Sequence, residues 1–135
     1  SCKLFAAPFD VVLKNKKGVE DSVVQPDICV VCDAEKIDKR GCYGAPDWVV
    51  EIVSPSNVEK ELSKKLSIYE EAKVGEYWVV RPDHKEVDIF VLQGDTYIGL
   101  RPRFADETIS PVKFPDLQIN LAEIFKGFAI RTRIC

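Results

Sequence analysis

Histidine is nearly absent from this 135-residue chain: the only one, His84, follows Pro82-Asp83. That setting predicts a solvated turn residue and argues against a Ser-His-Asp or Cys-His centre. No apolar run is long enough to cross a bilayer and no secretory leader is recognised, so the expectation is a cytoplasmic protein without membrane association. A basic excess is missing too, since 19 Lys and Arg face 22 Asp and Glu for a formal net charge of −3. This argues against a protein that holds nucleic acid by basicity spread over a whole face. It leaves room for a catalytic nuclease, which concentrates metal and a few lysines in a cleft. Cys29 and Cys32 form a C-x-x-C with no second pair to complete a zinc site. On a strand they would point to opposite faces, which speaks against a redox pair. All five cysteines fit a reducing cytoplasm, with Cys29 and Cys32 as small core residues.

With 46% hydrophobic residues and no repeat or low-complexity linker, residues 1–135 are expected to build one domain around a continuous core. Phe9, Val11 and Leu13 alternate against Asp10, Val12 and Lys14 and predict a strand from Phe5 to Lys14, turned back at Lys16-Lys17-Gly18. Ile28 to Cys32 reads as a buried strand, and a polar connection, Asp33 to Gly44, leads to a second, Trp48 to Val53. Ser56 and Glu59 have capping-box spacing, and the helix they open runs to about Ala72 and stops at Gly75. Tyr77 to Val80 is a further strand ended by Pro82. Val87 to Leu92 and Thr96 to Leu100 form a hairpin around Gly94-Asp95. An extended approach after Pro115 leads to a short final helix ending near Phe125, with Arg131 to Cys135 a loose tail.

Three polar residues stand in apolar surroundings. Glu51 is the one ionisable residue in the run Trp48-Val49-Val50-Glu51-Ile52-Val53. It lies on an exposed strand face, pairs with a Lys or Arg, or serves a metal, because an uncompensated buried carboxylate is costly. Asp27 follows Pro26 at the mouth of the preceding strand, where antiparallel pairing could bring it to Glu51; Pro-Asp is also an ordinary strand entry. Asp47 repeats the Pro-Asp pair and shares the strand face of Glu51, but it precedes the strand and is expected to be exposed, an outer candidate only. Lys65 follows from the helical period of about 100° per residue. With Val58 at zero, Leu62, Leu66, Ile68, Tyr69 and Ala72 span an arc of about −80° to +80° and Lys65 falls at about −20°, facing inward. Lys60 and Lys64 lie on the opposite, solvated face. Lys65 either snorkels to water along its packed stem or seeks Glu51 or Asp27.

Val24-Gln25-Pro26-Asp27, the stretch from Gly44 to Ser56, Lys65-Leu66-Ser67-Ile68-Tyr69 and Val74 to Val80 together resemble the Uma2 family, also called DUF820, from about Phe5 to Phe125. That family is assigned to the PD-(D/E)XK superfamily of restriction-endonuclease-like nucleases. The resemblance implies an α/β restriction-endonuclease-like core, with a mixed sheet carrying antiparallel hairpins and flanked by helices. It implies an endonuclease of nucleic acid, DNA favoured, using Mg²⁺ or Mn²⁺. The superfamily's PD aspartate falls on Asp27 and its second acid on Glu51, and the Ile52 carbonyl is a further metal ligand. The lysine expected two residues after the acid is Val53 here, and a helix lysine, Lys65, takes its place. The family's N-terminal segment, with an acidic helix, is expected to be missing, which would leave sheet edges exposed and favour a homodimer. The rival expectations are an inactive nuclease fold acting as a nucleic-acid-binding or protein-interaction module, and a scaffold in which Glu51 and Lys65 form a buried salt bridge.

Overall fold

In the computed structural model, which describes residues 1–55 and 59–126, the segment from Phe5 to Lys14 is two strands rather than one. β1 (Lys3–Ala6) and β2 (Asp10–Lys14) enter different sheets, separated at Pro8, which has no N–H to contribute to a ladder. β2 turns through Gly18, at φ +77°, into β3 (Glu20–Val24). β4 (Ile28–Val31) is the first of the expected buried strands. The connection after it contains β5 (Gly41–Tyr43), a strand the polar composition concealed, lying parallel to β2. Gly41 permits that approach, since a Cβ there would overlap the Asp10 carbonyl.

β6 (Trp48–Ile52) and β7 (Glu76–Arg81) pair in parallel, and the crossover between them carries α1 (Glu59–Glu71). Both strands are covered on two faces, which is why they read as nearly continuous apolar runs. Val49, Tyr77 and Val79 pack towards Tyr69 of α1. Trp48, Val50, Trp78 and Val80 pack on the other side with Ile109, Leu121 and Phe125. β8 (Glu86–Gln93) and β9 (Thr96–Gly99) form the expected hairpin, with Gly94 at φ +64°. Three short strands follow, β10 (Arg103–Phe104), β11 (Thr108–Ile109) and β12 (Ile119–Asn120), and residues 121–126 are helical.

The main sheet has seven strands in the order β1-β4-β6-β7-β8-β10, with β9 also on β8. Among its named pairs all but β6·β7 are antiparallel, so the expected mixed sheet with hairpins and flanking helices is what forms. β3, β2 and β5 make a smaller sheet. No helix among the described residues is long and apolar enough to cross a membrane.

Two local expectations need correction. α1 is closed by Lys73 in the left-handed conformation, φ +65°, with the Val74 N–H donating to the Tyr69 carbonyl at 3.0 Å. Gly75 instead marks the entry into β7, where a side chain would run into Lys113. Cys32 is not a free core thiol: it is disulfide-bonded to Cys2, one step beyond the Lys3↔Val31 pair of the β1·β4 ladder. Cys29 does belong to the core, and burial pushes its thiol up to about 12, so it stays protonated and unreactive. The Ser56 half of the proposed capping box and the tail from Arg131 lie outside the described residues.

Candidate active site

The register of β4 against β6 builds the site. Ile28 faces Val50, so one residue outward Asp27 stands opposite Glu51 on the face covered by α1. Asp27 is held on both sides. Its carbonyl accepts from the Ala7 N–H at 3.0 Å, and its Oδ2 accepts from the Ile52 N–H at 2.6 Å. In an extended strand the N–H and C=O of one residue point the same way. The Ile52 carbonyl therefore lies on the Asp27 side, while the Val53 N–H turns to the Val80 carbonyl on β7 at 3.0 Å.

Glu51 is only 3% exposed. Its Oε2 accepts from the Tyr69 hydroxyl at 2.7 Å and from Lys65 Nζ at 3.1 Å. Four residues separate Lys65 from Tyr69, so both lie on one face of α1 and converge on the same oxygen. The inward position deduced for Lys65 is observed. Its side chain is 32% exposed, so the stem packs and the ammonium sits at the cleft mouth, still bonded to Glu51. Burial raises the Glu51 carboxyl above the ordinary carboxylate range, against the lowering action of Tyr69 and Lys65, and the nearby negative charge of Asp27 raises it further. Burial, followed by the charge of Glu51, also drives the Tyr69 hydroxyl upwards, so it remains a donor.

Asp27, Glu51, Ile52 and Lys65 line a cleft of about 200 Å³ with Gln25, Val53, Glu61 and Leu62. Oxygen donors are what a hard divalent cation takes, and Mg²⁺ characteristically uses one or two carboxylates and keeps several waters. Among the described residues no group of three or more His, Cys, Asp and Glu side chains could hold a metal. The oxygen donors that Asp27, Glu51 and Ile52 offer at this cleft are two carboxylates and one backbone carbonyl. Such a set would suit Mg²⁺ or Mn²⁺ with water and substrate completing the shell.

Asp47 is not exposed as expected. Its Oδ2 accepts from the Cys32 N–H at 2.7 Å and its Oδ1 is 3.7 Å from Lys113 Nζ, so it ties the far end of β4 and stays away from the cleft. His84 has a side chain 66% exposed in the turn after β7, as its neighbours indicated. Sequence reading missed three features. Glu76, fully buried, accepts from Trp78 Nε1 and from the Val112 and Lys113 N–H groups and serves as a structural clamp. Tyr69 looked like one more apolar residue of the helix face. Gln25 was one letter of a motif, although its place beside Pro26-Asp27 was a usable signal.

Tyr69→Phe tests the support of Glu51. The variant leaves a buried carboxylate one donor short, a loss of about 1–3 kcal/mol. Urea unfolding at neutral pH is expected to show that loss, and to show less of it at acidic pH where Glu51 is protonated. Equal stability at neutral pH would mean that the Tyr69 bond contributes nothing.

The fold places the chain among restriction-endonuclease-like proteins. One solved structure similar to it is a protein from Anabaena variabilis described as "a putative nuclease belonging to DUF820", superposable at a TM-score of 0.67 with 19% identity over 93% of this chain and 68% of the other. The Uma2 family model, described as "Putative restriction endonuclease", matches residues 2–122, and the chain belongs to that family. No curated protein matches it.

Proposed function

We propose that the chain is a Mg²⁺-dependent nuclease that hydrolyses phosphodiester bonds, with DNA the first substrate to test. The observation that carries this reading is the meeting in one cleft of Asp27 at the mouth of β4, Glu51 on β6 and Lys65 on α1. Asp27, Glu51 and the Ile52 carbonyl would hold the ion. When bound, Mg²⁺ supplies positive charge for the scissile phosphate and lowers the pKa of a water ligand. Glu51 must be ionised to take part, and Tyr69 and Lys65 favour that form. Lys65 has three N–H donors and gives one to Glu51; the others orient the attacking water or stabilise charge growing on the phosphate. The water oxygen bonds to phosphorus as the bond to the leaving sugar oxygen breaks, and that oxygen ends protonated.

Titration calorimetry with Mn²⁺ and Mg²⁺, followed by incubation with single- and double-stranded DNA and RNA, tests the reading. Saturable binding with metal-dependent cleavage is expected. No binding of either ion would sink it and leave Glu51 and Lys65 as a salt bridge in a nuclease fold without its chemistry.

A further inference from the structure

Among the described residues, three carboxylates, Asp27, Glu51 and Glu61, line the cleft proposed to receive a polyanion, and Lys65 is the one cationic side chain on the lining. Lys65 is already bonded to Glu51. A bound metal neutralises part of this charge, but phosphate oxygens that do not reach the ion need N–H donors or water. Among the described residues the lining holds one further side-chain donor, the amide of Gln25.

Gln25 is unusually well placed for an exposed residue. It follows β3 directly, and the Val11↔Val24 register sets it opposite Asp10 at the start of β2. Its Nε2 donates to Asp10 Oδ1 at 2.6 Å. An ionised carboxylate only accepts, so it must face the NH₂ group of the amide; this removes the two-fold ambiguity of a glutamine and fixes which end points where. One N–H is thereby bound and the second, on the same nitrogen, is left for a ligand. Pro26, fully buried, anchors the chain between Gln25 and Asp27, so the amide and the PD carboxylate are held at a fixed offset.

We propose that Gln25 binds a phosphate oxygen of the nucleic-acid backbone beside the metal, and that Asp10 is the positioning residue that orients it. The proposal rests on the nuclease reading. A neutral amide suits this place because it donates without entering the charge balance among Asp27, Glu51 and Lys65. It also gives the small β3-β2-β5 sheet a task, as the bracket on which Asp10 is mounted.

The test is fluorescence anisotropy with labelled single-stranded and duplex DNA and RNA oligonucleotides, with Ca²⁺ replacing Mg²⁺ to slow cleavage, and Mn²⁺ calorimetry on the same samples. Gln25→Ala is expected to weaken oligonucleotide binding about ten- to hundredfold, the loss of one hydrogen bond to a charged group, with Mn²⁺ affinity unchanged. Gln25→Glu should lose more by adding a fourth carboxylate. Asp10→Ala should lose less, and Asp10→Asn, which keeps an acceptor for the amide, should recover most of that loss. Gln25→Ala binding oligonucleotide as tightly as wild type would overturn the proposal alone. So would parallel loss of Mn²⁺, which would put Gln25 in the metal shell. Wild-type protein that binds none of the oligonucleotides would overturn the nuclease reading and this proposal with it.

Discussion

Glu51→Gln is expected to abolish Mn²⁺ and Mg²⁺ binding and metal-dependent cleavage while the protein stays folded. The magnitudes decide between a structural and a functional role. Removing one member of a buried ion pair costs about 3–5 kcal/mol when it strands the other charge in the interior. Here the remaining charge is Lys65, whose side chain is one-third exposed and can turn to water. Glutamine keeps an oxygen to accept from Tyr69, so the stability change should be within about 1 kcal/mol. Loss of a direct ligand should exceed the 10–100-fold that losing an outer partner of a metal site costs, reaching about a thousandfold or more.

The pH dependence has a definite sign. The folded value of Glu51 lies above its unfolded one, so between the two the native state binds more protons and stability falls as pH rises. Glu51→Gln removes that slope and should gain on wild type as pH rises through the window, whereas wild-type metal affinity should rise across it, because only the ionised carboxylate is a ligand. Thermal melts with and without Mn²⁺ over a pH series read both. A variant that unfolds in the absence of metal would make Glu51 a structural residue, and one that still binds Mn²⁺ would remove it from the site.

What was legible in the sequence was whatever depends on local period. Lys65 could be turned inward because the helix repeats about every 3.6 residues, and Glu51 stood out because its neighbours are all apolar. Asp27 needed one further step, strand pairing, and the Ile28↔Val50 register supplied it. Most of the features that were missed depend on contacts distant in the chain. The Cys2–Cys32 bond requires the β1·β4 ladder, and β5 is only three residues long and earns its place through β2. Tyr69 and Tyr77 are alike in composition and burial, yet only the Tyr69 hydroxyl reaches Glu51, a distinction no hydrophobic pattern carries. The break at Pro8 was a local signal overridden: the alternation of Phe9, Val11 and Leu13 was extended back to Phe5, and the missing N–H prevailed.

Lys65→Ala should lower the cleavage rate about 10²–10³-fold, the range for loss of one preorganised donor aimed at developing charge, and it should also move the acid limb of the pH–rate profile upwards. The second effect follows from the ground state. Burial dominates the raised value of Glu51, and Lys65 opposes it both by its charge and by its hydrogen bond. Without the ammonium the carboxyl titrates at still higher pH, so at a fixed pH a smaller fraction is available to the metal. Mn²⁺ affinity should therefore fall at neutral pH and recover partly as pH is raised, while the rate defect persists because alanine offers no donor to the water or the phosphate. Lys65→Arg separates the two contributions. It restores the charge beside Glu51, and with it the acid limb, but its planar fork cannot reproduce the point donor of lysine, so the rate should return incompletely. If Lys65→Ala shifts neither the rate nor the pH profile, the helix lysine is not the substitute for the one missing at Val53. A lower rate with an unmoved profile would keep Lys65 as a donor and remove its influence on Glu51.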